Sequence, residues 1–221
     1  MEIVSRACPQ KNLHLVVVSN AGVDDAIKSV PSEFVDPVHG FSGDLDLDES
    51  EQDPKIWMPA LSSGKGPALQ TVREKLRGPV AVCPILPISQ RDPRASDKLV
   101  MEFENELYES WEVPSSNVIY AVEDDPLDLY RTISAIFQRY SRVFEGVSNA
   151  HIVLTPSGSK ALAIGALMAA IEYDLPVRYV EAVASPKFIA NMYEQRGQCR
   201  MQLGESQLAR QDLERAAQLN R

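Results

Sequence analysis

The stretch His151 to Ala182 constrains the fold more than any other part of the chain. HIVLTP is a short β-branched and apolar run, and PSGSK is a turn of small residues ending at Lys160. KALAIGALMAAIEYD has the residues and length of a helix, and VRYVEAV is strand-like again. A helix that joins two such strands crosses over the sheet, which makes the strands parallel and buries them on both faces.

The same alternation extends upstream. LHLVVVSN, Leu13 to Asn20, reads as a buried strand, expected at the centre of the sheet. PVAVCPIL, Pro79 to Leu86, reads as the next strand, and the helical pattern ALQTVREKLRG before it stops at Gly78. In RASDKLVMEFENELYESW, Arg94 to Trp111, a helix would bring Leu99, Met101, Phe103, Leu107 and Trp111 onto one broad face. VIYAV, Val118 to Val122, is a third strand, followed by a helix that opens before Pro126.

The expectation is an α/β fold: a Rossmann-like, mostly parallel open sheet with helices on both faces, followed by a short α-helical hairpin. A closed eight-unit barrel needs ~250 residues, and only five strands are persuasive. Asp36 to Lys55, rich in acids, Gly and Pro, reads as an exposed loop; its DLDLDESE core lacks the ligand spacing of an EF-hand.

The 221 residues suit one domain of ~150 to 190 residues with an appendage, assigned as 1–184 and 185–221. No apolar run approaches the roughly 20 residues that span a bilayer, and the N-terminus has no signal-peptide pattern, so a cytoplasmic location is expected, with no membrane partner. A net charge of -9 disfavours duplex nucleic acid but leaves room for a small anionic ligand. Cys8, Cys83 and Cys199 are far apart, as are His14, His39 and His151, so neither a disulfide framework nor a metal site is expected. No cofactor is expected.

The chemistry concentrates in Thr155–Pro156–Ser157–Gly158–Ser159–Lys160. Gly158 supplies backbone freedom, Ser157 and Ser159 supply hydroxyls, the N–H groups of the helix start can donate to phosphate or carboxylate oxygens, and Lys160 adds a positive charge. Two readings stand: a ligand-binding turn, or a helix cap alone. The run is neither a Walker loop nor a GxGxxG fingerprint. SSGKG, Ser62 to Gly66, is a second candidate anion nest, read as a loop because no strong strand precedes it. Glu123, Asp124, Asp125 and Asp128 are candidate proton-transfer or Mg²⁺ groups, or helix caps. Arg91 and Arg94 either contact phosphate or lie in a solvated loop.

The Thr155–Lys160 turn resembles that of the CARF family, the CRISPR-associated Rossmann-fold sensor domains, in which a strand leads into Thr-Gly-Gly-Thr-Lys and a helix. Pro156 and Ser157 and a small difference in spacing depart from that pattern. The resemblance implies a homodimer that binds a cyclic oligoadenylate, a nucleotide second messenger of antiviral signalling, across its two-fold axis. The binding residues it implies are Ser19, Asn20 and Ala21 after the first strand, with Thr155, Ser157, Gly158, Ser159 and Lys160.

From Tyr193, YEQRGQCRMQLGESQLARQDLERAAQLN resembles a tetratricopeptide repeat, with Gly197, Leu203, Gly204, Ala209, Leu213, Ala216 and Leu219 at helix-packing positions. One such hairpin cannot bury its apolar face alone. The leading expectation is therefore a nucleotide-sensing regulatory domain that passes its signal to a protein partner or effector through the C-terminal helices. A nucleotide phosphodiesterase or ring nuclease and a tetratricopeptide-type interaction scaffold are the alternatives. The sequence assigns no catalytic residue.

Overall fold

The computed structural model describes residues 29–37, 53–144, 151–184 and 186–219. Their strands are β1 (Ser29–Pro37), β2 (Lys55–Pro59), β3 (Val80–Val82), β4 (Ile85–Ile88), β5 (Ile119–Val122), β6 (His151–Thr155) and β7 (Arg178–Ala184). The α-helices are α1 (Gly66–Lys75), α2 (Ala95–Glu102), α3 (Pro126–Phe144), α4 (Lys160–Tyr173), α5 (Pro186–Gln202) and α6 (Ser206–Leu219). The described residues divide into two compact units, one of 33–37, 53–144 and 151–181 and the other of 29–32, 182–184 and 186–219.

In the first unit every determined pairing among β2 to β6 is parallel. β2 pairs with β3 on one side and β6 on the other, with Trp57 opposite Val82 and Val153, and β4 pairs with β5. Parallel bridges Ala60↔Ile85 and Leu154↔Val177 join the pieces. The spatial order is therefore β5, β3/β4, β2, β6, β7, with β7 also pairing with β1. Taken from β2 onward, this is third, second, first, fourth, fifth, the order of a doubly wound Rossmann-like sheet.

Two cores lie on opposite faces of this sheet. Ile56, Met58, Ile152 and Leu154 pack with Leu129, Ile133, Leu162 and Ala166 of α3 and α4. Trp57, Leu86 and Val153 pack with Leu69 and Val72 of α1 and with Leu99, Phe103, Leu107 and Trp111. The faces alternate residue by residue along β2 and β6, as a pleat buried on both sides requires.

Several local features differ from the sequence expectation. The centre of the described sheet is held by β2, a strand whose five residues are all buried; Leu13–Asn20 lies outside the described residues. Lys55, expected in a loop, opens β2 at 1% exposure, and its ammonium donates to the Asp53 carbonyl at 3.2 Å and the Arg77 carbonyl at 2.9 Å. Those bonds let a charged terminus enter a buried strand. Asp36 and Pro37, also expected in that loop, belong to β1.

The single strand expected over Pro79–Leu86 is interrupted at Cys83–Pro84, because proline has no N–H to donate to the ladder. The covering helix over Arg94–Trp111 ends at Glu102 and continues as a π-helical stretch, Asn105–Ser110. Phe103, Leu107 and Trp111 are buried, whereas Met101, in the regular part of the helix and about 200° around it from both Leu99 and Phe103, is 71% exposed.

In the second unit α5 and α6 form a helical hairpin turned by Gly204, whose φ of 79° suits glycine. Gly197 is packed so closely that an added β-carbon would lie 3.0 Å from Leu213. Ala209 and Ala216 are buried, whereas Leu203 is 76% exposed and does not pack as the repeat pattern implies. Between the helices, Asp212 accepts two bonds from Arg196, at 2.6 and 2.8 Å, and one from Arg200 at 2.9 Å.

Candidate functional site at the switch point of the sheet

The strand order reverses between β2 and β6, from which the chain leaves in opposite directions along the sheet. In open α/β sheets a crevice forms outside the carboxyl ends of the two strands at such a point, and ligands bind there. Two turns border it here: Ala60–Lys65 after β2 and Thr155–Ser159 after β6.

The β6 turn is fastened to its surroundings through every one of its hydroxyls. Thr155, 3% exposed, accepts the indole N–H of Trp57 on its Oγ1 at 2.9 Å. The Thr155 carbonyl accepts N–H bonds from Ala60 at 3.0 Å and Ser157 at 2.9 Å. Ser157 donates its hydroxyl to the Ala60 carbonyl at 2.5 Å. Ser159 is the N-cap of α4: its Oγ accepts the Leu162 N–H at 3.3 Å and donates to the Glu123 carbonyl at 3.1 Å.

Gly158 has no left-handed backbone; its small size matters because an added β-carbon would sit 3.2 Å from that of Ala60. The turn thus draws together the ends of β2, β5 and β6. What it presents outward is the start of α4, whose first N–H groups have no intrahelical acceptor, and the exposed Lys160 at the first helical position. Oriented N–H groups, a helix dipole and an ammonium suit an anionic oxygen.

The β2 turn holds an anion supplied by the protein. Glu102, at the end of α2, accepts the Ser63 hydroxyl at 2.7 Å and the Gly64 N–H at 2.6 Å. Gly64 has a φ of 74°, which turns its N–H toward the carboxylate, and α1 begins two residues later. The sequence treats SSGKG as a loop with no strand before it; it directly follows the central strand.

Two acids of the run have defined structural work. Asp125 Oδ1 accepts the Leu127 N–H at 2.9 Å at the start of α3, and Asp128 Oδ2 accepts the Val122 N–H at 2.8 Å at the end of β5. Among the described residues no group of three or more His, Cys, Asp or Glu is placed to hold a metal ion. Arg94 lies 3.9 Å from Asp97 on an exposed surface, and Arg91 is exposed in the same loop. His151 lies 3.6 Å from Asp53 at the amino end of β6, away from the switch point.

The structure brings Thr155, Ser157, Gly158, Ser159 and Lys160 into one turn, whereas Ser19, Asn20 and Ala21 lie outside the described residues. Sequence reasoning missed Ala60 and Trp57, the residues that fasten this turn to the central strand. The signal available was KIWMPAL itself, an apolar run masked by its leading Lys and by Pro59. Comparison with known proteins gives no match to any family model and none to the curated proteins.

Proposed function

We propose that the chain is a nucleotide-sensing regulatory domain that binds a phosphate-bearing second messenger, a cyclic oligoadenylate, at the Thr155–Lys160 turn. The observation that carries this reading is the position of that turn: it opens α4 at the switch point, with Lys160 exposed at the first helical residue. The resemblance of the turn to that of CARF sensor domains supports the choice of ligand and a homodimeric assembly in the cytoplasm. Among the described residues no helix is long and apolar enough to cross a membrane.

Sensing is favoured over cleavage because Asp125 and Asp128 tie backbone N–H groups at the ends of α3 and β5. The hairpin of α5 and α6 is the proposed output to a protein partner. It exposes Met201, Leu203 and Leu208 around its turn, which also suits an interaction scaffold.

Titration calorimetry of the full chain with cyclic oligoadenylates of differing ring size tests the proposal. Saturable binding that weakens in Lys160→Ala is expected, and no heat at high micromolar ligand would overturn it. Chromatography of the ligand after incubation, with and without Mg²⁺, separates sensing from turnover: intact ligand supports the sensor, and products support the phosphodiesterase.

A further inference from the structure

We propose that Trp57 is a positioning residue for the ligand turn, acting through Thr155; the proposal rests on the nucleotide-binding reading of that turn. Trp57 and Thr155 are 0% and 3% exposed, and the bond from the indole N–H to Oγ1 is 2.9 Å long. A buried indole N–H that loses its acceptor is left without water to replace it, so this bond resists rotation of the Thr155 side chain.

Thr155 is also the residue whose carbonyl receives Ala60 and Ser157, the two N–H groups that define where β6 ends and the turn begins. Its side chain and carbonyl are therefore fixed together. A tilt of this residue would shift the start of α4 and, with it, the N–H groups and Lys160 that face the ligand.

The indole has little freedom of its own. Trp57 packs edge-on against Trp111, with ring centroids 5.1 Å apart and planes at 73°, and Trp111 donates its own indole N–H to Gln70 Oε1 at 3.0 Å. The turn on one edge of the crevice is thus anchored, through the central strand, to α1 on the opposite face. A phenylalanine would fill most of the same space yet offer no donor, so aromatic packing and turn position are separable at this site.

The test uses the full chain and the variants Trp57→Phe, Thr155→Val, Thr155→Ser and the Trp57→Phe/Thr155→Val double variant. Without ligand, hydrogen exchange of the Ser157–Ala161 amides is expected to accelerate in Trp57→Phe and Thr155→Val. Exchange in β5 should stay unchanged, and Thr155→Ser should restore slow exchange. With the cyclic oligoadenylate that binds the unaltered chain, each of the first two variants is expected to lose about five- to tenfold in affinity, and the double variant no more than either.

Unaltered exchange in the turn of Trp57→Phe, or losses that multiply in the double variant, would overturn the role of Trp57. If no cyclic oligoadenylate binds the unaltered chain, the nucleotide reading fails on its own, and the exchange comparison still decides whether Trp57 positions the turn.

Discussion

A β-carbon on Gly165 would stand 2.3 Å from the carbonyl oxygen of Pro126. Gly165 faces the start of α3 from the second turn of α4, and its missing side chain lets the two helices meet backbone to side. The contact holds the acidic loop before Pro126 against the turn before α4, where Ser159 donates to the Glu123 carbonyl. Gly165→Ala is expected to push the helices apart at a cost of about 1–3 kcal/mol or more, since the clash is with backbone and not with a flexible side-chain end. Urea denaturation of the variant measures this; a midpoint equal to that of the unaltered chain would show that the helices yield freely.

Ser159 performs two tasks with one hydroxyl, accepting from Leu162 and donating to Glu123. Ser159→Ala is expected to cost about 1 kcal/mol through loss of the cap, and Ser159→Thr, which keeps the hydroxyl, should recover most of it. Thermal melts of the three proteins give the comparison. If the Ala variant melts with the unaltered chain, the cap contributes nothing to stability.

The two described cysteines should react differently. Cys83 is buried in the core with Ile56, Met58 and Ile85, and burial pushes its thiol up to about 11, so almost none is thiolate at neutral pH. Cys199 is exposed on α5. Brief treatment of the native chain with iodoacetamide at pH 7.5, followed by peptide mass spectrometry, is expected to label Cys199 and spare Cys83. Rapid labelling of Cys83 would mean that the sheet opens readily around β3 and β4.

Much of this architecture was legible in the sequence because strands buried on both faces are written as apolar runs. HIVLT is legible for that reason, VRYVEAV from its β-branched and aromatic residues, and the turn between β6 and α4 from its small residues. The central strand was not found. KIWMP begins with a charge whose ammonium donates to the Asp53 and Arg77 carbonyls, the second of them 22 positions away in the chain. Missing this strand also hid the role of SSGKG, since a turn acquires its meaning from the strand it follows. Thr155 shows a different limit: its residue type suggested a hydroxyl for a ligand, whereas that hydroxyl is held by an indole 98 positions away in the chain. The exposed Met101 reflects a third limit: two residues from Leu99 and from Phe103, it falls on the far side of a 3.6-residue helix, so one broad apolar face over Arg94–Trp111 is too wide a reading.

The helical hairpin should lose stability in acid through Asp212. Its carboxylate is buried between the helices, and the hydrogen bonds from Arg196, with the charge of Arg200 beside it, hold it below the usual carboxylate range. A carboxyl that is harder to protonate in the folded chain binds fewer protons there than in the unfolded chain, so its contribution to stability rises with pH. That contribution is complete above the ordinary aspartate value of about 3.9 and is lost as pH falls below it through the depressed folded value. Asp212→Asn keeps the shape and removes the titration. The stability gap between the unaltered chain and Asp212→Asn, followed by urea denaturation with helicity as the readout, should therefore be constant from pH 7 to 5 and narrow steadily below pH 4. A gap that stays the same down to pH 2.5 would mean that the two arginines do not distinguish the charged carboxylate from its neutral amide.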